Sequence, residues 1–235
     1  MPALGSERRP VLPRGGAERR KRFGLLLVAI SAVFAVEGIA KPGPWSQAIA
    51  SVLLAITVML SLRVADARPQ VIRPIGAITG LLTVLALVEA IAGHDRSITV
   101  AASQLLLVAV APPATMLGTI RTLRLRNQVT IEAVFGVLCL YVLLGILFAS
   151  LFAVIGIAND GALFAGHQPA TIANCLYFSF TTLTTVGYGD LTAASNLGHT
   201  LAISEALVGQ IYLVTVVSLI VGNLGLRRRE PAEGR

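Results

Sequence analysis

The chain has 235 residues, of which 55% are hydrophobic and only 13% charged, a balance outside the range of soluble globular domains. The formal net charge is +7, but the basic residues fall in short clusters between long apolar runs, so they read as membrane-orientation signals and not as a nucleic-acid footprint. Cys139 and Cys175 lie in apolar segments with neither metal-ligand spacing nor a disulfide framework, and are read as packing residues.

In chain order, residues 1–22 come first, rich in Arg, Gly and Pro and without apolar periodicity. They predict a disordered basic segment lying against anionic lipid. A helix that crosses a hydrocarbon core of about 30 Å needs roughly 20 apolar residues. Six stretches meet that length: 24–40, 45–62, 75–93, 98–120, 129–157 and 200–226. The first is not read as a cleaved signal, because Glu37-Gly38-Ile39-Ala40-Lys41 is a poor small-residue cleavage site. Pro112-Pro113 should kink the fourth. Between the fifth and sixth, 158–199 is too polar to span, yet 172–183 is apolar and of a length that suits a re-entrant element, buried in protein or lining water. The predicted fold is an all-α membrane protein with six spans and one re-entrant helix.

Orientation follows from the retention of Lys and Arg on the cytoplasmic side. Residues 1–22 carry seven, the second loop carries Arg63, Arg68 and Arg73, the fourth carries Arg121, Arg124 and Arg126, and the tail carries Arg227, Arg228, Arg229 and Arg235. The alternate loops hold only Lys41 and Arg96. Both termini are therefore expected in the cytoplasm, in the plasma membrane of a prokaryotic cell.

The re-entrant stretch runs directly into Thr184-Thr185-Val186-Gly187-Tyr188-Gly189-Asp190. Thr185 to Gly189 read TVGYG, and with the flanking apolar segments this region resembles the pore module of potassium channels of the prokaryotic six-span type. The resemblance implies an outer helix at 129–157, a pore helix at 170–183, a filter at 185–189 and an inner helix at 199–226, all in a pore domain at 127–226. It implies K+ as the permeant ion, held by the carbonyls of Thr185, Val186, Gly187 and Tyr188 and the Thr185 hydroxyl. Gly187 and Gly189 can take positive φ without a Cβ penalty, as carbonyls aimed at one axis require. One filter per chain implies a homotetramer. Pro169 is expected in the first turn of the pore helix, whose C-terminal end, partly negative, would favour a cation at midmembrane.

Around the filter, Thr184, Thr182, Tyr177, Asp190 and Glu205 are the expected supports. Relatives often carry two tryptophans on the pore helix where this chain has Tyr177 and Phe178, so Asp190 and Tyr188 need another partner, such as Thr182 or Tyr177 of a neighbour. Glu205, Gly209 and Gln210 match a pattern found in prokaryotic relatives. Gly209 is read either as a hinge or as a packing residue, above a pore-facing stripe of Gln210, Leu213, Val217 and Val221 at helical spacing. Apolar Val217 and Val221 would close such a pore by dewetting. Glu37, Glu89 and Glu132, near helix ends, are read as snorkelling. His167 and His199 are read as solvated loop residues.

Residues 23–126 form the expected four-helix bundle. Its fourth span, 98–120, contains no Lys or Arg, unlike a voltage sensor, so steep voltage gating is not predicted. The tail at 227–235 is too short for a ligand-binding domain, which leaves gating to another stimulus or to a separate regulator. No His, Cys or acid cluster has catalytic or ligand spacing, so neither an enzyme nor a prosthetic group is expected. A rival reading, the pore subunit of a regulator-dependent uptake system, is disfavoured by the single filter loop and the lack of inverted repeats.

Overall fold

The structure is a computed structural model that describes residues 15–41, 43–93, 98–126 and 131–227. Seven α-helices follow one another: α1 (Gly15–Ile39), α2 (Pro44–Val64), α3 (Pro69–Ile91), α4 (Ile98–Arg126), α5 (Ile131–Ala158), the short α6 (Ile172–Leu183) and α7 (Asn196–Arg227). Six are long and apolar enough to cross a membrane, and α6 is the shorter apolar helix between the last two. No strand occurs among the described residues, only an isolated bridge between Phe164 and Ala193. The all-α fold with six long apolar helices is as the hydrophobic runs predict.

Several boundaries differ from the sequence reading, each for a local reason. Residues 15–22, expected to be disordered, form the first turns of α1, helped by Glu, Lys and Arg, which are good helix formers. Arg19 and Arg22 there pair with Asp66 at 2.5 and 3.4 Å, which ties the start of α1 to the turn after α2. Helix α3 starts earlier than expected because Pro69 takes its first turn, behind an extended Arg68. Helix α4 runs unbroken through Pro112 and Pro113. Residues 1–14, 127–130 and the tail from 228 lie outside the described residues.

One core joins the two halves of the chain. Phe23, Leu26, Ile30 and Val33 of α1 meet Leu54 and Val58 of α2, Leu107 and Val108 of α4, and Cys139, Leu143 and Ile146 of α5. Leu176 of α6 belongs to the same cluster, and the Phe34 ring of α1 stands edge-on to Phe180 at 5.0 Å. Helix α1 thus braces α6 of its own chain. Both cysteines are free and fully buried, packing residues as read.

Within the bundle several buried uncharged polar groups satisfy one another. Gln104 Nε2 donates to the Gln47 carbonyl and to Ser51 Oγ, both at 3.3 Å, and Thr115 Oγ1 donates to Ser61 Oγ at 3.3 Å. Hydroxyls and amides of this kind bind membrane helices together.

Candidate functional site: the α6 loop and its supports

Helix α6 starts at a side-chain cap. Thr171 is extended and its hydroxyl accepts from the Asn174 amide at 3.2 Å, as N-cap threonines do. Pro169 lies ahead of this cap and not in the first turn; its carbonyl accepts Asn174 Nδ2 at 2.8 Å. The apolar face of α6 then seats against α5. A Cβ on Gly145 would run into the Phe180 ring, 2.5 Å from Cζ, so only glycine lets the two helices approach so closely.

Past Leu183 the backbone turns back on the helix end. The Thr185 amide donates to the Thr182 carbonyl at 2.9 Å, while the Val186 and Gly187 amides both donate to the Thr181 carbonyl, at 2.9 and 3.1 Å. The peptide unit is planar and trans, so its carbonyl points opposite to its N–H. The carbonyls of Thr184, Thr185 and Val186 therefore face away from Thr181 and Thr182.

Outside a helix, a backbone that alternates in hand gathers successive amides on one side. Thr185, Gly187 and Gly189 have φ of 58°, 51° and 82°, and Val186 and Tyr188 between them do not have positive φ. Positive φ at the glycines is expected. At a β-branched residue it is a genuine outlier, and Thr185 was not legible as one. Its hydroxyl accepts Gln210 Nε2 at 3.1 Å, a link from α7 to the base of the loop.

The supports divide into two groups. On one side, the Tyr177 hydroxyl donates to Asp190 Oδ2 at 2.9 Å and its ring lies parallel to that of Tyr188, centroids 6.3 Å apart. This bond forms within one chain, where the sequence predicts Thr182 or the Tyr177 of a neighbour as the partner. Phe178 packs edge-on to Phe152 and Phe164 instead. On the other side, fully buried Glu205 places Oε1 2.5 Å from Ser179 Oγ, which is also 2.7 Å from the Gly145 carbonyl. Ser179 was not foreseen; neither was Thr181, whose carbonyl anchors two amides of the loop.

Gly209 fits beneath the end of α6, where an added Cβ would collide with the Leu183 carbonyl. The Tyr141 hydroxyl donates to that same carbonyl at 3.4 Å, and the Tyr141 ring stacks on Tyr212. Gly209 is a contact of close packing in this arrangement. Leu213 is exposed on the same helix; Val217 and Val221 lie in α7, but their side chains are outside the described residues. Two glutamates depart from the snorkelling expectation: Glu37 and Glu132 are both buried. Depth here is set by neighbouring helices and not by distance from the helix end. His199 is exposed but tied by Nε2 to the Ala193 carbonyl at 2.7 Å.

Residues 136–224, from within α5 to near the end of α7, match the family model described as ion channel. A comparison with curated proteins finds no match. The matched stretch contains the α6 loop with all of its supports. With six long apolar helices, it supports a membrane-embedded ion channel and a channel activity in place of an enzymatic one. Among the described residues, no group of three or more His, Cys, Asp or Glu could hold a metal ion.

Proposed function

We propose that the protein is one subunit of a potassium-selective channel, conducting K+ passively through a filter made by Thr185, Val186, Gly187, Tyr188 and Gly189 of four identical chains. The observation that carries this reading is the alternating hand of that segment, with its first amides bound back to α6 and its first carbonyls turned the other way. Carbonyls in successive rings replace the hydration shell of a dehydrated ion. Thr184, Thr182, Thr181, Tyr177, Asp190, Ser179 and Glu205 hold the segment in place.

The tetramer is favoured by what a single chain leaves uncovered. Val186 and Tyr188 are 53% and 72% exposed although their loop is bound back to α6 through three amides. Ile203, Leu207, Ile211 and Val214 present an apolar face on α7. Neighbouring copies would cover both. In this reading the termini lie in the cytoplasm, the basic start of the chain meets anionic lipid, and the plasma membrane is the location. The absence of Lys and Arg from 98–120 argues against steep voltage gating. Gly209 serves packing or a hinge above Gln210, Leu213, Val217 and Val221.

Purified protein in liposomes tests the proposal. Potassium flux should exceed sodium flux, and Gly187→Ala should abolish it. An alanine Cβ there meets open space within one chain, so the substitution acts through backbone hand and not through a clash with its own fold. Equal sodium and potassium flux would reject selectivity.

A further inference from the structure

Glu37 is a carboxyl group in an unusual place. It lies in the last turns of α1, is 4% exposed, and has two buried oxygens with no hydrogen-bond partner among the described residues. It lines a cavity of about 70 Å³ where α1, α2, α4, α5 and the start of α6 converge. A water needs roughly 10–15 Å³ of such space, so the cavity has room for a small solute. An acid with two idle acceptors is costly to bury, and an occupant that donates hydrogen bonds would remove the cost.

The other walls define that occupant. They are mostly apolar, with Ala50, Ala101 and Ala153 among them, and among the described residues contain no second charged or titratable side chain from any of the five elements. The polar groups present are largely engaged. Ser46 Oγ is bound to the Gly43 amide and carbonyl, Gln104 Nε2 to Gln47 and Ser51, and Thr171 Oγ1 to the Asn174 amide. A hard metal cation asks for about six or more oxygens, which this set does not supply. A protonated amine asks for less: three N–H donors on one head, with an alkyl tail that is at home among alanines.

We propose that this cavity is a binding site for a small primary ammonium ligand, its head on the Glu37 carboxylate and its alkyl part between α2, α4 and α5. The site borders Thr171 and Ile172, so an occupant touches the point where the re-entrant helix begins.

The test uses the full-length protein in detergent with excess KCl held constant, and follows the thermal midpoint against ethylammonium chloride. Tetramethylammonium, equally charged but without an N–H, is the control. Ethylammonium should raise the midpoint saturably by several degrees, as a ligand of the native state does, and tetramethylammonium should not. Glu37→Gln removes the charge, and Ala101→Leu fills the cavity while keeping the carboxyl; each should abolish the ethylammonium shift. If Glu37→Gln does not fold, Ala101→Leu decides. The absence of a shift in the unsubstituted protein, an equal shift with both ammonium salts, or an unchanged shift in Ala101→Leu would each overturn the proposal.

Discussion

Helices α1–α4 and the module α5–α7 are both built on long apolar helices, but their polar atoms serve different ends. In the bundle, side chains bond to side chains across helices, as Gln104 does with Ser51 and Thr115 with Ser61, and no charge is buried in those contacts. In the module the main chain itself is arranged, by amides of Thr185, Val186 and Gly187 gathered on two carbonyls of α6. The first pattern holds helices together and tolerates exchange of similar groups. The second fixes the direction of individual peptide units, and tolerates very little.

The largest effects should therefore fall on backbone hand and close approach in the module. Beyond the loss of flux in Gly187→Ala, Gly209→Ala pushes a methyl against the Leu183 carbonyl. Overpacking of this kind costs about 1–3 kcal/mol, and should appear as a lower thermal midpoint of the assembled protein. A Gly209→Ala protein as stable as the original that no longer opens would instead favour the hinge.

Next in size is the buried set around Ser179. The hydroxyl has one proton, and both the Gly145 carbonyl and Glu205 Oε1 lie within bonding distance. The set closes when the Glu205 group supplies a second donor. Glu205→Gln, which always has donors, should retain most of the stability, whereas Glu205→Ala should lose about 1–3 kcal/mol. Equal loss in the two variants would show that only volume matters there.

Tyr177→Phe should do less. It removes the bond to Asp190 but keeps the ring beside Tyr188, for a loss of about 0.5–1.5 kcal/mol. Potassium selectivity should survive while conduction decays faster under sustained flux. A change in the ratio of sodium to potassium flux would mean that Tyr177 sets the width of the proposed filter directly.

How far the sequence revealed these parts depends on what fixes each one. Six helices were legible because membrane thickness imposes a length on every apolar run, and the loop was legible because a short motif resembles a known pore. The positive φ of Thr185 was not, since it is imposed by Thr181 and Thr182 accepting the next amides and not by the residue type. Nor was Ser179, whose partners Gly145 and Glu205 are distant in the chain. Glu37 shows the same limit: nothing in α1 tells that α2, α4, α5 and α6 close over its last turns. The helical start of α1 was hidden because residues 15–22 carry no apolar period.

The smallest effect is expected in the bundle, at the ion pairs of Asp66. Arg19 and Arg22 reach this carboxylate from α1, while Arg121 at the end of α4 donates to the carbonyls of Ala65 and Asp66. The charges are a third or more exposed on average, 30–41% by side chain, where such pairs contribute about 0.2–1 kcal/mol and are screened by salt. Asp66→Asn should therefore lower the thermal midpoint slightly at low ionic strength and not at all in molar salt. It leaves the Arg121 contacts intact, because those use backbone oxygens. A loss that persists in high salt would mean that the aspartate itself holds the positive φ of this turn, 48°, and that one point in the bundle is governed, like the loop after α6, by the direction of the main chain.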